Sequence, residues 1–179
     1  MALIRPLLGK IPQIGAGTFL AETAVVIGDV VIGEACSIWY HVVVRGDVHS
    51  IRIGDRTNIQ DGAILHCTYQ KAPLYIGSEV TIGHGAIVHG CRIGNRVLIG
   101  MGAIILDHAE VPDETLIAAG ALVPEGMKLE PGYLYAGIPA RPIKPLSEAH
   151  RESLQAYASR YVMYKDWYLA TAPLSEGAG

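Results

Sequence analysis

Three of the seven histidines in this 179-residue chain, His66, His84 and His89, fall within a short central stretch. Neutral imidazole is a common metal ligand, and three around one ion with an open position make the donor set of a catalytic zinc site. The spacings of 18 and 5 fit neither one helix turn nor one alternating strand. Whether the three can meet therefore depends on how the chain between them is wound. Polar residues suited to such a site lie just upstream. Arg45 and Asp47 belong to "RGD" (45–47), and Gln60 and Asp61 to "NIQDGAILH" (58–66).

Composition narrows the class of protein. Half the residues are hydrophobic and 17% are charged, which excludes a disordered chain. The length fits one domain with material for a core. A net charge of −3 offers no basic field for nucleic acid. No apolar run approaches the ~20 residues of a membrane span. The opening "MALIRPLLGKIPQI" is too short and too interrupted by proline for a signal peptide. Cys36, Cys67 and Cys91 are odd in number, which points to free thiols in a reducing cytoplasm.

The element that positions the histidines is a repeat. Between 26 and 123 an aliphatic residue recurs at steps of mostly six: Ile32, Ile38, Val44, Ile53, Ile59, Leu65, Ile76, Ile82, Val88, Ile93, Ile99, Ile105, Val111, Ile117 and Val123. Insertions interrupt the steps from 44 to 53 and from 65 to 76, and the step from 88 to 93 is one short. Four residues after many slots stands a small or β-branched residue, as at Cys36, Thr57, Ala63, Ala86 and Ala103. A six-residue unit is a short strand and a turn, and three units close a triangular coil. Coils then stack by parallel pairing ~4.8 Å apart. The expected fold is mainly β: a left-handed parallel β-helix of hexapeptide repeats over about 12–125. An extended, proline-punctuated connector follows at 126–146, then a C-terminal helix at 147–170, all in one domain. Ser147 is a good N-cap, and Leu154, Tyr157, Tyr161, Tyr164 and Tyr168 recur at helical spacing as a face to pack on the β-helix or on a sister chain.

The repeat converts spacing into position. Val44, Leu65 and Val88 stack in one column, so the residues after them, Arg45, His66 and His89, stack as well. Ile59 and Ile82 form a neighbouring column that stacks Asp61 and His84 on another face, with Gln60 beside Asp61. Turning a corner of the prism makes it hard for one chain to bring His84 to the other two. A threefold packing, in which different faces of neighbouring chains meet, solves this. His84 of one chain would then join His66 and His89 of the next.

With these residues in place, the chain resembles the γ-class carbonic anhydrase family of hexapeptide-repeat proteins. The resemblance rests on "RGD" (45–47), "NIQDGAILH" (58–66), "IGHGAIVHG" (82–90) and "YAGIPAR" (135–141), and it spans nearly the whole chain. It implies a homotrimer with metal sites at subunit interfaces and metal-dependent hydration of CO₂ to bicarbonate. The ligands would be His66, His84 and His89. Arg45 and Asp47 would form an interface ion pair, and Gln60 and Asp61 would position water and bicarbonate. Tyr135 would be a further pocket residue. Zinc suits three histidines, as do iron(II) and cobalt(II).

The sequence departs from the archetype of that family in one respect. The loop after His66 reads "CTYQKAPLY", without a carboxylate, and Val48 follows Asp47 where a second glutamate is expected. Two other readings stay open at this point. One is an acyl-CoA thioesterase or acyltransferase on the same scaffold, and the other a non-catalytic trimeric metal-binding protein.

Overall fold

In the computed structural model, which describes residues 1–171, the repeat folds as a left-handed parallel β-helix of about seven turns. One face stacks seven parallel strands: Phe19–Leu20, Ser37–Ile38, Asn58–Ile59, Thr81–Ile82, Leu98–Ile99, Leu116–Ile117 and Tyr133–Ala136. The second face stacks the first half of Val43–Ile53 beneath Ile64–His66, Ile87–His89, Ile104–Ile105 and Leu122–Val123. The third runs from the other end of Val43–Ile53 through Leu74–Ile76 and Arg92–Ile93 to Glu110–Val111. Val44, Leu65, Val88, Ile105 and Val123 fall on one column and are fully buried inside the prism, so the aliphatic slots are the core.

Most corners follow one pattern. The third residue after a slot takes positive φ and the fourth is small or β-branched and buried, the corners after Val44, Leu65 and Val88 being exceptions. At one corner the positive-φ positions are not glycines but Arg56, Glu79, Arg96 and Glu114. A left-handed conformation costs a side-chain-bearing residue ~1–2 kcal/mol. Here the charges pair between coils, Arg56 with Glu79 and Arg96 with Glu114. The glycine that directly follows the slot on this face, such as Gly77, has another purpose. A Cβ there would lie 2.5 Å from the Gly94 carbonyl oxygen of the next coil, so this glycine permits close stacking. Gly102 is the opposite case, with φ of +65° and open space around it.

The 126–146 connector is more structured than expected. Its Tyr133–Ala136 segment pairs in parallel with Leu116–Ile117 as the last strand of its face, and Arg141–Pro145 folds back antiparallel against it. Ser147 caps the helix Glu148–Ala170, its side chain accepting the His150 N–H. The residues that this helix buries are Leu154, Ala158 and Lys165 rather than the whole tyrosine stripe. Tyr161 and Tyr164 pack at the edge of a cluster of Phe19, Ala21 and Trp39, while Tyr157 stays exposed. The rings of Tyr168 and Trp39 meet edge to face at 5.0 Å, so the aromatic residues clamp the helix to the strand-bearing face.

Substituting the two glycines should separate stacking from conformation. Gly77→Ala is expected to destabilise by ~1–3 kcal/mol or more, because backbone of the next coil must shift. Gly102→Ala should cost the ~1–2 kcal/mol of local backbone strain alone, since no neighbouring coil has to move. Denaturant unfolding of both variants at one protein concentration checks the order.

Candidate metal centre

The site begins with the coil register. His66 and His89 end adjacent parallel strands and are direct register partners, so both rings leave the same face one coil apart. Their ring centroids are 5.1 Å apart, and His66 Nδ1 faces His89 Nε2 at 3.1 Å. The opposite nitrogen of each ring meets a carboxylate: His66 Nε2 lies 2.9 Å from Asp47 Oδ1, and His89 Nδ1 lies 2.5 Å from Asp107 Oδ1.

These contacts fix the proton positions, assigned here from the hydrogen-bond partners. A carboxylate accepts only, so the outer nitrogen of each ring carries the proton. The two facing nitrogens of neutral rings are then bare, and two lone pairs 3.1 Å apart repel unless a cation lies between them. Protonating a ring is the poorer remedy. Burial lowers the His66 pKa, and the nearby Arg45 and His89 add to this, against the opposing pull of Asp47. A metal ion is the better one. Two nitrogens bound at ~2.0 Å to one tetrahedral ion lie ~3.3 Å apart, which the observed spacing nearly meets. Carboxylates on the outer nitrogens are the usual partners of metal-binding imidazoles.

Both carboxylates are held as anions. Burial raises the Asp47 pKa, but hydrogen bonds from Arg45 and His66 outweigh it and the net shift is downward. The Arg45–Asp47 pair forms within one chain, at 2.5 Å. Asp107 behaves likewise, burial being outweighed by hydrogen bonds from Thr68 and His89.

The third histidine stands on another face, beyond the strand Thr81–Ile82. His84 also has a carboxylate beside it, with Nδ1 2.9 Å from Asp61 Oδ2. Asp61 Oδ1 also accepts the Tyr40 backbone N–H, which holds the carboxylate in place. The His84 side chain is 46% exposed, and among the described residues its other nitrogen has no hydrogen-bond partner. Beside it Gln60 is buried, its amide donating to Asn58, which in turn donates to Thr81. Gln60 and His84 line a groove of about 330 Å³ whose walls include Leu98, Met101, Ala118, Tyr157 and Tyr161. Among the described residues of one chain, no three His, Cys, Asp or Glu side chains converge on one point. Two donors share one face and the third stands on another.

Two sequence expectations need correction or addition. Tyr135 does not reach this group. It pairs with Ile117 on the strand-bearing face, is 3% exposed, and its hydroxyl accepts the Glu130 backbone N–H inside the fold. The tyrosines that border Gln60 and His84 are Tyr157 and Tyr161, both from the helix, and burial raises the Tyr161 pKa with Asp61 adding to the effect. Sequence spacing could not find them, because docking of the helix decides which tyrosines arrive. Asp107 was also missed, although it was legible: it stands two residues after Ile105, on the column of Leu65 and Val88. The nearby Cys67 is buried with its thiol pKa pushed up to about 11, which makes it a poor competitor for the ion.

Comparison with known proteins identifies the family. The family profile "Bacterial transferase hexapeptide (six repeats)" matches residues 11–46. The chain is 49% identical over 173 residues to Protein YrdA of Escherichia coli, covering 93% of this chain and 94% of that one. It is 44% identical over 168 residues to a carbonic anhydrase of Geobacillus kaustophilus, covering 94% and 92%. A solved Bacillus cereus structure, described as a putative acetyltransferase, superposes with a TM-score of 0.91 at 42% identity, covering 93% and 96%. The chain belongs to the γ-class carbonic anhydrase-like family of hexapeptide-repeat proteins.

A metal bound between the imidazoles must stabilise the folded chain. At a zinc concentration 100 times the dissociation constant the gain is ~2.7 kcal/mol. Thermal melting with zinc and with chelator should differ for the wild type and for His49→Ala, and the difference should vanish in His66→Ala and His89→Ala.

Proposed function

We propose that the chain is a metal-dependent enzyme for reversible hydration of CO₂, acting as a homotrimer in which His84 of one chain completes the His66–His89 site of the next. The observation that carries this reading is the pair of facing nitrogens, each on a ring fixed from behind by a carboxylate. His84, with Asp61 beside its ring, is the third donor. Zinc, iron(II) or cobalt(II) fits such a set. A divalent ion held there supplies a water-derived nucleophile at neutral pH, by bringing the pKa of water to ~7. The free cysteines agree with a reducing cytoplasm as the setting, and no helix among the described residues is long and apolar enough to cross a membrane.

The chain's own residues do the rest. Asp47 and Asp107 accept from the outer nitrogens of His66 and His89 and orient those rings, and Asp61 stands beside His84. Gln60 is fixed at the groove wall beside His84, where a polar substrate atom can be met by its amide. Exporting the proton is the harder step. Asp61 has one oxygen on Tyr40 N–H and the other on His84. The loop at 67–75 carries no carboxylate. Buffer must therefore take much of the proton traffic, and the rate should rise with buffer concentration.

The apolar wall of the groove favours one second reading, hydrolysis of a small acyl thioester by the same centre. Turnover of a short acyl-CoA panel separates the two.

Stopped-flow hydration by protein with full metal occupancy tests the main reading. A rate well above buffer is expected, falling at least ~100-fold in His84→Ala trimers. No rate above buffer at full occupancy would contradict it. The shared site has its own test. His84→Ala and His66→Ala chains, each unable to hold the ion alone, should recover metal when unfolded and refolded together. In truly mixed trimers, absence of recovery would place all three ligands in one chain.

A further inference from the structure

Asp107 and Thr68 stand behind His89 in an arrangement that composition of the site does not require. Asp107 lies one coil above His89 and reaches back across Gly90. Gly90 has φ of +50°, and a Cβ there would collide with the Asp107 carboxylate. The close approach thus depends on a glycine at this point. Both carboxylate oxygens are committed: Oδ1 accepts His89 Nδ1–H at 2.5 Å, and Oδ2 accepts the Thr68 hydroxyl at 2.5 Å.

The charge of this group also differs from that of its counterpart. Asp47 is paired with Arg45. Asp107 has a side chain only 18% exposed, and among the described residues its ion-pair partner is His89 and no lysine or arginine. A partly buried carboxylate without a basic partner makes the imidazole in front of it a stronger electron donor and favours a cation at that ring's far nitrogen. That far nitrogen is the one facing His66.

Thr68 belongs to the five-residue insertion after Leu65. It pairs with Ala72 to close the loop, through Thr68 N–H to Ala72 O at 3.3 Å and Ala72 N–H to Thr68 O at 3.2 Å. Its hydroxyl joins that loop to the ligand through one carboxylate.

We propose that Thr68 and Asp107 form a positioning relay, from the 67–73 loop to His89, that sets the metal affinity of the centre. The proposal rests on the reading of His66, His84 and His89 as ligands. Neither residue touches the ion or the substrate, and both act through the His89 ring.

The test measures zinc affinity by chelator competition on refolded trimers, together with the visible absorption of the cobalt(II)-loaded protein. Asp107→Asn keeps the shape and removes the charge, and should weaken zinc by ~10–100-fold while shifting the cobalt bands. Thr68→Val should weaken it less but in the same direction, and Thr68→Ser should restore wild-type affinity. Should Asp107→Asn fail to fold by circular dichroism, the two Thr68 variants decide: equal affinity in Val and Ser variants overturns the relay. A folded Asp107→Asn protein with wild-type affinity and an unchanged cobalt spectrum also overturns it. Wild-type protein that binds no zinc overturns the relay and the metal centre together, whereas zinc binding without CO₂ hydration leaves the relay standing and removes only the proposed reaction.

Discussion

Parallel register between coils is the constraint on which the rest of this structure depends. Each strand must lie directly above its predecessor, because its backbone groups have no other partners. An insertion can therefore enter only where it leaves the pairing on either side intact, as the residues added between Val44 and Ile53 do within one long strand by a shift of register. The five residues added after Leu65 do so as a loop, and His66 and His89 remain register partners despite a separation of 23 residues. The same register places Asp47 and Asp107 behind the two rings and Asp61 behind His84. Fold and site are thus consequences of one spacing, which the aliphatic slots and close-packed glycines maintain.

Electrostatics then suits the stacked histidines to the metal site proposed for them. Three imidazoles each have one nitrogen beside a carboxylate, and two of them turn their bare nitrogens toward each other. Such an arrangement has little merit as a source of folding stability, since facing lone pairs repel. It becomes favourable when a cation is present. Burial disfavours a proton on His66, and the raised Cys67 pKa disfavours a thiolate nearby. The chemistry of the site is therefore biased toward nitrogen coordination of a divalent metal.

The β-helix and the stacking of His66 on His89 were legible in the sequence because a period of six is a geometric statement. Asp107 was equally legible by that rule but lacked the histidine signature that drew attention to the others. Other features were not. The charged residues at positive φ, Arg56, Glu79, Arg96 and Glu114, are tolerated because pairing between coils supports them, which a search for glycine at corners does not reveal. The tyrosine beside the site was misplaced for a different reason. Tyr135 sits on a strand, where its slot position turns it inward, and Tyr161 arrives from a helix whose rotation is set by Leu154, Ala158 and Lys165. A repeat predicts only what lies within it.

X-ray absorption at the zinc edge of the zinc-loaded protein tests the central claim most directly. Three imidazole nitrogens at ~2.0 Å, with outer-shell ring scattering and a light-atom fourth ligand, are the predicted coordination. A sulfur scatterer at ~2.3 Å, or coordination without imidazole, would contradict it.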